Sequence, residues 1–406
     1  MQLLVICPHF EPDVAPTGVV MTRIVHELAA RGHQLHVVTS LPWYLHHEVE
    51  EGWGGRLKRT EDVEWGRITR LHPFPAPDKT NLFRRSLSFG GFTAMATAVA
   101  AWGRRVDGVL AMSPPLTLGP AGWLAGIARR APVVFNIQDV YPDVAVEVGA
   151  ITGRRVIAAL SWLERFSYAR ADAVTVLSDD LHRNLAEKTD PAKVRVIPNF
   201  VDTDAIRPAE RDNDYRRELG LSADQTVIMY AGNIGYSQPL ELIVAAAREL
   251  QDRPDIHFVI NGSGSGRAAV EAAAVDVDNV TFRDLQPVER LPQVLAAGDV
   301  HLVLLRKGLA ASSVPSKTYS ILAAGRPIIC SVDEGTEVVR LVEGADAGIA
   351  VPPEDAVAFT SAVRELADDP DRRTAAGERA RAHVEAAFSP ASVAAAYEAL
   401  FTELAR

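Results

Sequence analysis

Ser313-Val-Pro-Ser-Lys-Thr-Tyr-Ser-Ile-Leu-Ala-Ala-Gly-Arg-Pro-Ile-Ile329 reads in order as a polar loop, a short helix opened by Pro315, a stop at Gly325 and a buried strand. Proline suits a first helical position because its missing N–H would be unpaired there anyway. The unpaired N–H groups of such a first turn, with Lys317 among them, make an anion site. A second junction of strand, glycine turn and helix lies upstream at Tyr230-Ala-Gly-Asn-Ile-Gly-Tyr-Ser-Gln-Pro-Leu240. Two such junctions in one half of a chain suggest a nucleoside diphosphate held between helix N-termini.

The alternation of strand and helix extends outward almost throughout, which predicts an α/β fold with parallel sheets covered on both faces. Strands are expected at Leu3–Cys7, Leu35–Thr39, Gly108–Met112, Pro132–Ile137, Ala173–Leu177 and Val194–Ile197. The first helix is expected over Thr17–Ala30, with Ile24, Val25 and Leu28 on one side and Gly32 closing it. Pro198-Asn-Phe-Val-Asp-Thr-Asp204 breaks the pattern, and a polar segment runs on to Arg217. A second series follows, at Val227–Tyr230, Ile256–Ile260, Val280–Phe282, Val300–Leu305, Ile328–Ser331 and Gly348–Val351. Residues 356–406 read as consecutive helices, with a break at Ser389-Pro390 that lets the last helix turn away from the second domain. The reading is therefore two tandem doubly wound, Rossmann-like domains at 1–198 and 199–388, and a closing helix at 389–406. Such domains bind ligands at the carboxyl ends of their strands.

At 406 residues, two domains are the natural expectation. Residues 1–180 are balanced at 18 basic and 18 acidic side chains, so the remainder carries the whole net charge of −10. An acidic chain with no long basic tract argues against nucleic-acid binding. Basic pairs at Arg84-Arg85, Arg104-Arg105, Arg129-Arg130 and Arg154-Arg155 read either as helix ends, where cations favour the dipole, or as a surface facing anionic lipid. Cys7 and Cys330 each end an apolar run without metal-ligand spacing, so buried reduced thiols and a cytoplasmic setting are expected. The opening residues lack the basic region of a signal peptide. The uncharged stretches 86–103 and 108–128 fit buried helices and prolines better than membrane spans. Peripheral contact with the inner face of the cell membrane stays open through Asn81–Phe92, where Leu82, Phe83, Leu87, Phe89 and Phe92 alternate with Arg84-Arg85.

Several polar groups fall at strand ends. Pro8-His9-Phe10-Glu11-Pro12-Asp13 leads to Pro16-Thr17-Gly18 at a helix start, where Thr17 is placed to cap and Gly18 to admit a ligand's close approach. Gln138 and Asp139 follow an apolar strand, and Asp139 is placed to orient a sugar hydroxyl or take a proton; alternatively it caps the next segment. In the second domain Gly232 and Gly235 form a turn with Asn233 and Gln238 as hydrogen-bonding groups, and Asn261-Gly-Ser-Gly264 suits packing of a ribose or base through Gly262 and Gly264. No Gly-x-Gly-x-x-Gly follows the first strand, and there is no Walker sequence or Gly-x-Ser-x-Gly elbow. The Asp-x-Asp matches at 202–204, 276–278 and 369–371 and the pair His46-His47 lack the setting of a metal site, so no metal or cofactor is expected.

Together the opening Pro-His-Phe-x-Pro-Asp with Pro-Thr-Gly, the motifs Gln-Asp-Val-Tyr-Pro, Ile-Pro-Asn-Phe-Val-Asp and Gly-Asn-Ile-Gly, and Pro-Ser-Lys-Thr-Tyr with Ala-Ala-Gly-Arg-Pro resemble the GT-B glycosyltransferases of family 4. Within them the chain is most similar to the WbuB-like group that builds bacterial O-antigen and capsule repeat units. The resemblance implies a UDP- or GDP-sugar donor in the C-terminal domain and a lipid-linked or surface-polysaccharide acceptor in the N-terminal one. It also implies transfer with retention and no metal, the donor's own phosphate helping to deprotonate the acceptor. On this reading His9, Thr17, Gly18, Gln138 and Asp139 stand on the acceptor side. Gly232, Asn233, Gly235, Gln238, Gly262, Gly264, Ser316, Lys317 and Ser320 hold the donor, and Arg306 or Lys307 supplies further positive charge. Asp139 and Lys317 are the catalytic choices. The chain departs from the family pattern where many members carry an arginine and a lysine in the glycine turn, since Asn233 and Gln238 stand near those places. Two expected glutamates fall on Ser312 and Ser320. A nucleotide-sugar 2-epimerase of the same fold and a non-catalytic nucleotide-sugar-binding protein are the competing readings.

Overall fold

Runs such as Leu3-Leu-Val-Ile6, Val109-Leu-Ala-Met112 and Val133-Val-Phe-Asn-Ile137 are apolar at nearly every position, which suits strands buried on both faces. In the computed structural model of the protein they are the central strands of a parallel sheet. The structure describes residues 1–45, 48–75, 82–147, 151–235, 237–308, 315 and 317–405, with only the backbone described at 82–89, 144 and 147. The chain divides into two units, Met1–Asn199 with Pro390–Arg406, and Phe200–Ser389.

The first unit begins β1 (Gln2–Ile6), α1 (Pro16–Ala30), β2 (Gln34–Ser40), β3 (Lys58–Val63), β4 (Gly66–Leu71) and α2 (Leu82–Ala101). It continues β5 (Gly108–Ser113), α3 (Leu118–Arg129), β6 (Val133–Ile137), α4 (Asp143–Glu147) and α5 (Arg154–Arg170). β7 (Ala173–Val176), α6 (Asp179–Ala186) and β8 (Val194–Val196) complete the sheet, whose order is β3-β4-β2-β1-β5-β6-β7-β8. All neighbours are parallel except the β3–β4 hairpin.

The second unit comprises α7 (Asp214–Glu218), β9 (Thr226–Ala231), α8 (Glu241–Glu249), β10 (Ile256–Asn261), α9 (Arg267–Ala273) and β11 (Val280–Arg283). It goes on through α10 (Leu291–Ala297), β12 (Val300–Leu304), α11 (Lys317–Ala323), β13 (Ile328–Ser331), α12 (Glu337–Gly344) and β14 (Gly348–Val351). Helices α13 (Ala356–Asp368) and α14 (Pro370–Ala387) end it, and α15 (Pro390–Leu404) belongs to the first unit. Its parallel sheet has the order β11-β10-β9-β12-β13-β14. Alternate residues serve opposite faces: Leu302 and Leu304 join Ile260 and Phe359, while Val303 and Leu305 join Leu322 and Val342.

Every strand expected from the sequence is present. The β3–β4 hairpin is an addition. Its outer strand is mostly exposed and carries Lys58, Arg59, Thr60, Glu61 and Asp62, so no apolar alternation marks it. Gly66 is required at its turn, since φ is +143° and a Cβ would lie 1.9 Å from the Leu35 carbonyl oxygen. The helix expected at Pro315 is described from Lys317, and the Pro315 carbonyl accepts the Thr318 N–H (3.0 Å). Pro16 takes the first position of α1 behind Ala15, so Thr17 is already inside the helix and caps nothing. Gly325, with φ +66°, ends α11 as expected.

α15 turns its apolar side to the first unit. Val393, Tyr397, Leu400 and Phe401 are buried, Glu398 pairs with Arg31 (2.6 Å), and Tyr397 accepts a hydrogen bond from Asn136 Nδ2 (2.8 Å). A Cβ on Gly108 would meet the Phe401 ring at 2.4 Å, so β5 is shaped to the helix. Phe401→Ala is expected to cost about 3–5 kcal/mol, read as an earlier urea midpoint of the first unit's unfolding. An unchanged midpoint would show that α15 is dispensable to that core.

Candidate active site

A doubly wound sheet opens a crevice where its strand order reverses, at the carboxyl ends of the two strands flanking the reversal. In the first unit these are β1 and β5, and in the second β9 and β12.

In the first unit the loop after β1 carries His9. Its Nδ1 lies 2.7 Å from the buried Asp13 carboxylate, which also accepts the Tyr44 N–H (3.2 Å). A carboxylate accepts, so Nδ1 is the donor and Nε2 is left as the imidazole's acceptor. Trp43 stacks on the ring at 5.5 Å and Tyr44 meets it edge-on at 5.5 Å. Gly18 stands against this loop: a Cβ there would lie 2.7 Å from His9 Cβ, so the close approach it permits is to His9. Sequence reasoning named His9 but missed Asp13, four residues on, and Trp43 at the end of neighbouring β2; the strand-end rule that found Asp139 also points to Trp43.

Gln138 is committed within the fold. Its Nε2 donates to Asn136 Oδ1 (2.8 Å) and its Oε1 accepts from Asn199 (3.0 Å). Asp139 stands exposed beyond β6, two strands from β1, and partial desolvation raises its carboxyl above the usual range. Among the described residues it has no hydrogen-bond partner, so a capping role is not seen.

In the second unit Lys317, at the start of α11, reaches back to the glycine turn after β9. Its ammonium sits 3.8 Å from the Tyr230 ring centroid and would be 3.0 Å from a Cβ on Gly232. Among the described residues no carboxylate pairs with it, and burial lowers its pKa to about 7. Tyr230, fully buried, donates to the Asn233 carbonyl (2.5 Å) and is a site residue the sequence reading left in its strand. Gln238 accepts the Gly235 N–H (3.0 Å), which fixes the turn, and Asn233 is exposed beside Gly235 and Gly264.

The glycines at 262 and 264 have a reason inside the fold. A Cβ on Gly262 would lie 1.9 Å from the Gly232 carbonyl oxygen, and one on Gly264 would lie 2.3 Å from that of Ile234. The two loops thus pack backbone to backbone, a reason within the fold that stands beside the expected packing on a ribose or base. Arg306 bridges Glu241 (2.7 Å) and Glu354 (2.8 Å) at the surface, so two carboxylates already face its charge. Lys307 is exposed, and Ser320 is half-buried on α11. Ser312, Ser316 and His46-His47 lie outside the described residues. Cys7 and Cys330 are buried free thiols, each raised to about 12 by burial. Among the described residues no cluster of three His, Cys, Asp or Glu could hold a metal.

Residues 17–199 match the glycosyl transferase 4-like domain, and residues 225–369 match glycosyl transferases group 1. The chain is 30% identical over 394 residues to the Escherichia coli K12 glycosyl transferase WcaI, named for colanic acid biosynthesis, covering 94% of this chain and 95% of that one. Among solved structures, sucrose-phosphate synthase from Thermosynechococcus elongatus shares the fold with a TM-score of 0.73 at 20% identity, covering 100% and 99% of the two chains. Anabaena HepE in complex with UDP-glucose does so with a TM-score of 0.67 at 14% identity and full coverage of both. With both sheets in the doubly wound order and family matches in each unit, the chain belongs to family 4 of the GT-B glycosyltransferases, among relatives of polysaccharide biosynthesis.

Proposed function

We propose that the protein transfers a sugar, with retention and without a metal ion, from a nucleoside-diphosphate donor to a lipid-linked or surface-polysaccharide acceptor. The carrying observation is Lys317. Its ammonium is set against the Gly232 turn at the strand reversal, without a carboxylate partner among the described residues. A desolvated cation of this kind is poised for the charge that develops on a departing diphosphate. HepE was captured with UDP and with UDP-glucose, which favours a uridine donor in the second unit. The WcaI relative favours a polysaccharide-building acceptor in the first. There His9, held by Asp13 with Nε2 directed as an acceptor, receives a hydrogen bond from an acceptor hydroxyl, and the aromatic rings of Trp43 and Tyr44 supply a face for a sugar. Asp139 orients a second hydroxyl. Chemistry then proceeds by positioning and by phosphate-assisted deprotonation of the acceptor.

Lys317→Ala is expected to lower transfer from a UDP-sugar on the order of a hundredfold while the thermal melt stays cooperative. Wild-type turnover in the purified variant would sink the assignment, and epimerised donor formed without acceptor would identify the epimerase instead. Transfer is expected to persist in a chelating buffer; its abolition there, restored by a divalent cation, overturns the metal-free reading.

The depressed Lys317 pKa gives a second, signed expectation. The unfolded lysine keeps its proton to 10.5 and the folded one only to about 7. The burial penalty is thus fully present below pH 7 and relieved between pH 7 and 10.5, where wild type gains stability relative to Lys317→Met. A bound diphosphate restores the charge. UDP binding at pH 8 is therefore expected to take up a proton, measured by calorimetry in buffers of different ionisation heat, and the uptake is expected to vanish in Lys317→Met. Equal proton uptake in both proteins would remove Lys317 from the diphosphate.

A further inference from the structure

At the amino ends of β9, β12 and β13 the second unit holds a cavity of about 710 Å³, a volume that suits a metabolite. Thr226, Asp299 and Pro327, at or just before the first positions of those strands, line it. β9 runs from Thr226 here to Ala231 before the Gly232 turn, so cavity and turn stand about 17 Å apart along the strand. One face of α14, from Pro370 to Glu385, supplies the facing wall. A Cβ on Gly377 would lie 2.1 Å from the Gly325 carbonyl oxygen, so glycine there lets α14 close against the turn that leaves α11.

Four arginines line the cavity, and carboxylates match two of them. Arg211 pairs with Asp299, whose other oxygen accepts from Arg216 (3.2 Å) and the Val227 N–H (2.7 Å). Arg381 pairs with Glu385 (2.6 Å) and donates to the Ala323 carbonyl at the end of α11 (2.7 Å). Among the described residues Arg326 and Arg373 bond only to carbonyls. Arg326 Nη2 donates to Ala296 on α10 (2.8 Å) and to Ala209 (3.1 Å), and Arg373 Nη1 to Leu366 (2.5 Å) and Ala367 (2.7 Å) on α13. Each thus commits one nitrogen of its fork. Arg373 keeps Nε and Nη2, the edge that grips an oxyanion with two parallel bonds, and Arg326 keeps Nη1, its Nε being buried without a partner. Burial lowers the pKa of both groups, as expected of cations short of water and counter-charge. Elsewhere arginine serves helix ends less uniformly. Arg129 holds the Ala100 carbonyl at the end of α2 (2.8 Å), whereas Arg154-Arg155 stand in the first turn of α5, where a cation opposes the dipole, which overturns the helix-end reading for that pair. In Asn81–Phe92 the side chains at 82–89 lie outside the described residues and Phe92 is buried in the core. Among the described residues no helix is long and apolar enough to cross a membrane.

From this arrangement we infer that the cavity between α14 and the amino ends of β9, β12 and β13 is a second binding site, for a sugar phosphate. Arg326 and Arg373 take the phosphate group, whose charge of nearly −2 at neutral pH answers two guanidiniums that no carboxylate serves. The two remaining carboxylates of the lining, Asp224 and Glu378, are exposed and enter no ion pair among the described residues. They repel a bare polyanion, but a carboxylate accepts hydrogen bonds from sugar hydroxyls, so a ligand with a phosphate at one end and hydroxyls at the other fits both kinds of group. The lining comes entirely from the second unit. The inference does not depend on the transfer chemistry, since the site lies at the opposite ends of the strands from Lys317.

The test is calorimetric titration of the full chain with glucose 6-phosphate, inorganic phosphate and glucose. Glucose 6-phosphate is expected to bind, inorganic phosphate to bind more weakly and glucose not at all. Arg326→Gln/Arg373→Gln is expected to weaken glucose 6-phosphate binding about a hundredfold. Both arginines also hold helix-end carbonyls, so Ala382→Trp provides a second variant: it fills the cavity from an exposed lining position, leaves every arginine in place and is expected to block binding with an unchanged thermal midpoint. Asp224→Ala/Glu378→Ala is expected to remove the advantage of glucose 6-phosphate over inorganic phosphate. Lys317→Met is expected to leave all three titrations unchanged. Absence of glucose 6-phosphate binding to wild type, or binding that survives Ala382→Trp, overturns the inference. So does loss of binding in Lys317→Met, which would place the ligand in the donor crevice, and so does equal binding of inorganic phosphate and glucose 6-phosphate, which would make the site one for free phosphate.

Discussion

A parallel strand buried on both faces leaves no side open to water, and that requirement organises both units of this chain. Helices must cover each sheet on two sides, so the chain has to start in the middle of the sheet, build to one edge and return to build the other. The strand order therefore reverses beside the first strand of each unit, between β1 and β5 and between β9 and β12. The loops at those strand ends carry His9 in the first unit and the Gly232 turn in the second, to which Lys317 reaches back. One exposed departure, the β3–β4 hairpin, lies outside this rule and is built of residues it would not choose for a core.

Charge is handled in two ways. Where a cation supports the fold it is paired or bonded: Arg216 is buried with Asp299 (3.2 Å) and the Ala297 carbonyl (2.8 Å), and Arg306 spans two glutamates. Removing Asp299 from the buried Arg216 would leave an uncompensated charge, whereas the Arg306 pairs are exposed and weigh less. Lys317 is treated differently. Its ammonium has an aromatic face and a glycine turn for neighbours and is desolvated with no opposing charge among the described residues. A fold holds a group in that condition at a cost, which an anion bound beside it would lower. In the first unit the chain Asn199–Gln138–Asn136–Tyr397 links three amides, and its last bond ties Asn136 to α15.

The strands were legible because a run of apolar residues at consecutive positions is a local property that burial on two faces demands. The hairpin of β3 and β4 was not, because an edge strand with polar residues on both sides carries no such pattern. Glycine turns were legible as turns, but the reason for their glycines was not. Gly18 answers to His9, Gly262 to Gly232 and Gly66 to Leu35, each a close approach between segments distant in sequence. Arg306 looked like a diphosphate partner from its place after β12, and its two glutamates come from positions 241 and 354, far along the chain.

By itself the sequence determined the fold class, the two α/β series, the closing helix and the motifs that identify the family, since each is written in local periodicity or in short contiguous residues. Only the tertiary structure decided which polar groups remain available. It bonded Gln138 and Arg306 within the fold, brought Asp13 and Trp43 to His9, and set Lys317 against Gly232 and Tyr230. The reason is physical. Availability depends on the partners a side chain meets and on the water it loses, and both are set by segments that only folding brings together.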